Sequence, residues 1–331
     1  MSSTFDLASV ERAAALLAGR IVTTPLLESP QLNDRAGCRV LVKAESLQLT
    51  GSFKIRGALT HALSLSEEER ANGLIAFSAG NHGQGVAAAA RQIGVPAVVV
   101  MPRTAPQVKV HNCRWWGAEV VLYDPATEDR EDVAARFVTE RGMALVPPFD
   151  DPLIMSGQGT VGLEIVAELE ARGIVPDELV LNCSGGGLAA GVAEVMRAAH
   201  PHLGVSLVEP AGRDKMAQAI AADAAGTESA YRLPAEPTVM DALAGPSAGR
   251  LTRAALAKHH PRMRTVTDAE ALAGVAEAFR SLRLVVEPGG AASLAAVLGD
   301  PAAFECRTVV LVASGGNIDA AVLARALATV S

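Results

Sequence analysis

The stretch Leu179–Gly191 reads LVLNCSGGGLAAG: an apolar run, a serine with three glycines, then the start of an alanine-rich amphipathic segment. A short apolar run closed by a glycine turn and followed by helical periodicity is the mark of a buried strand feeding a helix. The same unit recurs. LIAF (Leu74–Phe77) runs into SAGNHGQG (Ser78–Gly85), LRLVV (Leu282–Val286) into EPGGAAS (Glu287–Ser293), and VVLVA (Val309–Ala313) into SGGN (Ser314–Asn317). VLVKAE, AVVVMP, EVVLYD and VSLVEP read as further buried strands, with helices predicted over His82–Gly94 and Glu128–Arg141. Strands alternating with helices predict an α/β fold of mostly parallel, twisted sheets. Ligands in such sheets bind beyond the carboxyl ends of the strands. The four glycine turns fall there.

Composition narrows the function classes. The 331 residues allow two domains, and a chain that is 50% hydrophobic and 20% charged is globular rather than disordered. A net charge of −7 with no basic block argues against a nucleic-acid partner. No apolar run approaches the roughly 20 residues of a membrane span. The start, MSSTFDLASVERAAALL, carries acids and an amphipathic pattern instead of a signal peptide's basic front. Cys38, Cys113, Cys183 and Cys306 form no CxxC pair and read as buried small hydrophobes in a reducing, cytoplasmic compartment. Thr227–Gly249 is the least regular stretch and reads as a surface excursion that returns to the site.

The turns carry the chemistry. In SGGGLAAG, glycines let successive backbone N–H groups converge ahead of a helix N-terminus, an arrangement that binds phosphate. GxGxxG and GxxxxGK[ST] are both absent, which weakens a nucleotide reading. SAGNHGQG offers a hydroxyl, amides and an imidazole at a helix start, suited to a small carboxylate or a phenolic oxygen. Each turn alone also reads as an ordinary cap, and EPGG as a proline-fixed turn with Glu287 solvated. Lys54, in GSFKIRGA, is one of only five lysines, and lysine, unlike arginine, can form an imine. Alone it reads equally as a solvated helix lysine. A phosphate cradle, a site for a phenolic oxygen and one available amine point together to pyridoxal phosphate, whose aldehyde forms a Schiff base with lysine.

At this point the residues are familiar as a set. GSFKIRGA, SAGNHGQG, SGQGTVGLEI (Ser156–Ile165), SGGGLAAG, EPGGAAS and SGGNID occur in the order found in the threonine/serine dehydratase and serine racemase family. The chain resembles that family from about Thr24 to Asp319. The resemblance implies a tryptophan synthase β-like (fold type II) pyridoxal phosphate enzyme acting on a small β-hydroxy amino acid, as a homodimer or higher homo-oligomer. It implies a large domain of residues 1–75 and 151–331, and a small domain of residues 76–150. Lys54 would hold the cofactor and shuttle protons, with Phe53 packed beside the ring. Asn81 would meet the phenolic oxygen, Ser184, Gly185, Gly186, Gly187 and Leu188 the phosphate, and Ser314 the pyridine nitrogen. Ser78, Asn81 and His82 would receive the substrate carboxylate.

Departures from the family sharpen the expectation. Racemase members place a serine after the first serine of SAGNHGQG; here that position is Ala79, which has no proton to give, so little racemisation is expected. In VEPAGRDKM, many relatives bind a divalent cation. Glu209 matches the first ligand and Arg213 the carbonyl position, but Lys215 stands where the third, acidic ligand belongs, beside Asp214. No metal is therefore expected. The chain ends a dozen residues after SGGNID, without the regulatory domain of biosynthetic threonine deaminases, so catabolic use without that feedback is expected. The leading reading is α,β-elimination from L-threonine or L-serine. The alternative is a 3-hydroxyaspartate ammonia-lyase, with Arg136 of DREDVAARF facing the second carboxylate. Serine racemisation and a non-catalytic cofactor-binding protein rank below both.

Overall fold

The computed structural model describes residues 4–328 apart from 79 and 106. Ten strands form two sheets: β1 (Leu26–Glu28), β2 (Arg39–Lys43), β3 (Leu74–Phe77), β4 (Ala97–Pro102), β5 (Glu119–Tyr123), β6 (Ala144–Leu145), β7 (Glu178–Asn182), β8 (Gly204–Pro210), β9 (Arg262–Val266) and β10 (Thr308–Val312). The larger sheet runs β1-β2-β10-β7-β8-β9, the smaller β5-β4-β3-β6. Every pair is parallel except β1–β2. Central strands β7 and β10 are almost wholly buried, as expected of strands covered by helices on both faces.

Leu282–Val286 departs from its reading as a strand. The chain makes a π-type turn over Ala278–Leu282, Arg283 takes left-handed backbone (φ 60°), and the residues up to Glu287 join no ladder. Val285 is left 43% exposed. The cysteines also divide: Cys38, Cys113 and Cys183 are buried, whereas Cys306 is exposed. Among the described residues no helix is long and apolar enough to cross a membrane.

Three helices converge on the space between the sheets. Pro152–Arg172 packs along both Lys54–Ser64 and Gly187–Ala199. Its approach to the second is closed by glycine, since a Cβ on Gly191 would lie 2.5 Å from both Gly159 N and Met155 O. Beneath the Lys54 helix lies a buried charge network. Arg56, fully buried, pairs with Glu45 at 2.8 Å and with Glu164 at 2.7 Å, and Lys43, also fully buried, meets Glu164 at 2.8 Å. Burying such charges is tolerable because each is paired and hydrogen-bonded. Lys43 is thus held in the framework.

Candidate active site

A cavity of about 340 Å³ opens where β3, β7 and β10 end. Its wall includes Phe53, Lys54, Ser78, Asn81, His82, Ser184, Gly185, Gly186, Gly187, Leu188 and Ser314. The fold gathers these sequence-derived residues from segments far apart in the chain. Ala79 lies outside the described residues. Arg136 is not brought to the cavity: it is exposed on the helix Arg130–Arg141. Six residues of helix turn a side chain by about 240°, so the arginine of that helix that lines the cavity is Arg130.

Lys54 begins its helix, and its Nζ donates to the carbonyl of Pro148 at 2.6 Å. No carboxylate pairs with it among the described residues. Burial therefore pulls the amine down to about 8, so a neutral nucleophile is accessible near physiological pH. The Phe53 ring lies 5.3 Å from the same nitrogen.

The glycine turn between β7 and the helix Gly187–Ala199 is shaped as an anion cradle. Gly185's carbonyl is held outward by Thr252 Oγ1 at 2.6 Å and Gly249 N at 3.2 Å. Gly186 has φ 95°, and the first-turn N–H groups of the helix lack intrahelical acceptors. A Cβ at Gly185 would lie 2.4 Å from the Phe149 ring, so only glycine lets the chain pass here.

At the far end, Ser314 Oγ accepts from Asn182 Nδ2 at 3.1 Å. This leaves the hydroxyl proton for an acceptor in the cavity, such as an unprotonated ring nitrogen. Asn182 Nδ2 shares its two protons among Ser314 Oγ, Gly290 O and Val312 O, and Asn182 Oδ1 accepts from Ser293 N, so it ties three elements together. Asn81 Nδ2 donates to Glu287 Oε1 at 2.5 Å, while Asn81 Oδ1 accepts from Asn317 Nδ2 at 2.7 Å. Glu287 is thus buried in the wall and not solvated: only 3% of it is exposed. Burial first, and then Asp241, pushes its carboxyl up to about 7.

His82 differs from its sequence reading in chemistry. Its Nε2 lies 2.9 Å from Val146 O; a carbonyl can only accept, so Nε2 carries the proton. Burial, and then the Lys54 charge, pulls the ring down to about 3, which keeps it neutral. Nδ1 is then an acceptor without a partner among the described atoms, unable to donate to a carboxylate. Donors for one remain in Ser78 and in the N-terminal amides of the helix Asn81–Ile93.

Behind the cradle, Lys215 is fully buried and donates to Leu243 O at 2.8 Å, while its Nζ sits 3.9 Å from Glu209. Glu209 accepts from Met216 N and Ala217 N, and Arg213 donates to Glu236 O. Burial pulls Lys215 below its ordinary range, against the pull of Glu209. Among the described residues no three His, Cys, Asp or Glu side chains are grouped to hold a metal ion.

The donor set fits pyridoxal phosphate: a cradle too tight for any side chain at Gly185, an amine free of acid partners, and a serine proton free to meet a ring nitrogen. Known proteins agree. Residues 17–315 match the family described as pyridoxal-phosphate dependent enzyme. A serine racemase of Arabidopsis thaliana is 34% identical over 95% of this chain and 93% of its own length. An L-threo-3-hydroxyaspartate ammonia-lyase of a Pseudomonas species is 37% identical over 94% of each. The crystal structure of a T.th. threonine deaminase superposes with a TM-score of 0.88, at 41% identity, covering 95% of this chain and 99% of that one. The chain therefore belongs to the pyridoxal-phosphate dependent enzymes of fold type II, within the family of serine racemases and threonine ammonia-lyases.

Proposed function

We propose that the protein is an ammonia-lyase that converts L-threonine, L-serine or both to a 2-oxo acid and ammonia by loss of the β-hydroxyl. The observation that carries this reading is a half-buried lysine amine, without an acid partner among the described residues, that shares one cavity with a phosphate cradle and a helix N-terminus. When bound, pyridoxal phosphate supplies an electrophilic carbon and a sink for electrons from the substrate α-carbon. The chain's residues do the rest. The cradle Ser184–Leu188 anchors the phosphate, and Asn81 and Ser314 fix the ring edges. Ser78 and the amides that open the Asn81 helix receive the substrate carboxylate. Lys54, with its amine near 8, takes the α-proton as a neutral base and holds it as an ammonium. Ser314 offers a hydroxyl where a carboxylate would keep the ring nitrogen charged, which favours prompt elimination over transamination. Residues 76–150 carry the substrate-carboxylate loop, and residues 1–75 and 151–331 the cofactor lysine, the phosphate cradle and the serine for the ring nitrogen.

A second reading rests on Arg130, a cation in the cavity wall that a substrate with one carboxylate does not use; Lys109, in the same wall, is already paired with Asp241. Arg130 lies with its guanidinium 5.3 Å from the Phe77 ring, and a distal carboxylate would suit it. Turnover on L-threonine, L-serine and the 3-hydroxyaspartates, read as 2-oxo acid and ammonia, tests both readings. No product from threonine or serine refutes the first. Arg130→Ala should raise KM for hydroxyaspartate about tenfold more than KM for threonine under the second reading. Equal changes would refute the second.

A further inference from the structure

The reaction above leaves one buried acid in the cavity without a task. Glu287 precedes the helix Pro288–Gly299, and the amide it holds, Asn81, is held from the other side by Asn317, which also donates to Thr50 O at 2.8 Å. The backbone after Ser314 presses against this chain of groups. A Cβ on Gly315 would lie 2.3 Å from Glu287 Oε1 and 3.0 Å from Asn81 Nδ2. The carboxyl therefore lies beside both the amide assigned to the ring oxygen and the turn assigned to the ring nitrogen. No ion pair to Glu287 forms among the described residues. Asp241 and Lys109 are the charged groups that act on it, and they are paired with each other.

We infer that Glu287 is a titrating positioning residue: its charge state sets how firmly Asn81 is held, and through Asn81 how tightly the site keeps pyridoxal phosphate. Ionised, Glu287 accepts a charge-assisted hydrogen bond from Asn81 Nδ2, roughly twice as strong as a neutral one. The amide is then locked between Glu287 and Asn317, with the second N–H of Nδ2 left for a ligand. Protonated, the carboxyl weakens that bond and brings a competing donor to the same edge. Its pKa near 7 places the change within the working range of the cell. The inference rests on the cofactor assignment and not on the choice of substrate.

Equilibrium dialysis of the holoenzyme against graded pyridoxal phosphate, from about pH 6 to about pH 8.5, tests it. Glu287→Gln keeps an acceptor oxygen for Asn81 but cannot titrate. Lys54 and the cofactor phosphate titrate alike in both proteins, so the ratio of their apparent Kd values isolates Glu287. The wild type should weaken on acidification by about fivefold more than the variant, with the step centred near pH 7. A ratio constant with pH overturns the inference. Should Glu287→Gln not fold, Asp241→Asn should move the wild-type step down, and Lys109→Gln up, by about half a unit each; an unmoved step overturns it equally. A flat ratio with threonine turnover intact removes this inference alone. A surviving step with no turnover on any β-hydroxy amino acid removes the proposed function alone.

Discussion

Two groups of buried charges lie within one helix turn of each other and behave in opposite ways. Under the Lys54 helix, Arg56, Lys43, Glu45 and Glu164 satisfy one another. Against its burial, Arg56 is held above its ordinary range by Glu45 and Glu164, and Glu164 is held below its own by Arg56 and Lys43. In the cavity, Lys54, Glu287 and His82 have only neutral hydrogen-bond partners, and burial drives each toward its uncharged form. Pairing fixes a charge; its absence frees a proton. The network is framework and the cavity groups are chemistry.

The same substitution in each region sharpens the contrast. Lys54→Met should lower turnover by about 10³-fold or more, because one amine serves both as cofactor anchor and as base. Its thermal midpoint, measured without cofactor, should stay level or rise, since an unpaired buried cation has been replaced by an apolar side chain. Borohydride reduction of the wild type should attach the cofactor to Lys54; a label on Lys43 or Lys109 would sink the assignment. Arg56→Met should do the reverse and destabilise the fold by about 3–5 kcal/mol, by leaving Glu45 buried against no cation and Glu164 with Lys43 alone. Urea denaturation reads this, and a loss below about 1 kcal/mol would erase the distinction between the regions.

The smallest expected effect concerns pH. Glu287 has a folded pKa raised from 4.5 to about 7, so the folded protein holds a proton that the unfolded chain has lost between those values. Stability from this group is present below pH 4.5 and is lost as pH rises through 7. Glu287→Gln in the cofactor-free protein should accordingly match the wild type at acid pH and exceed it above neutrality, by on the order of 1–3 kcal/mol. Parallel stability curves across that range would show that Glu287 does not titrate in the folded protein.

What could be read from sequence follows the range of the interactions involved. Of the eight apolar runs, seven became β2, β3, β4, β5, β7, β8 and β10, most of them because burial on both faces writes a continuous hydrophobic signal; Leu282–Val286 did not become a strand. β1, β6 and β9 were missed: they lie at sheet edges, one is only two residues long, and RMRTV in β9 carries two arginines. Lys54 and the glycine turns were legible since each follows a local pattern. Asn182 and Asn317 were not singled out, and Glu287 was read as solvated, because their meaning comes from partners across the fold, as with Asn81 and Glu287, 206 residues apart. Asn182 did leave a trace, a polar side chain closing an apolar strand. Arg136 was misplaced for want of helix phase. His82 was read as a carboxylate donor because its tautomer depends on Val146 O, which no local pattern reveals.

The glycine contact between Gly191 and Gly159 has a metric consequence. The helix Gly187–Ala199 rises directly from the cradle, and the helix Pro152–Arg172 follows the Pro148 carbonyl that holds Lys54. Where they cross, backbone touches backbone, with no room for a methyl group. The span from the phosphate end to the amine end of the site is therefore gauged by two main chains, which do not swap rotamers as side chains do. Such a ruler has narrow tolerance, because main chain packed on main chain leaves little room for the two ends to shift apart.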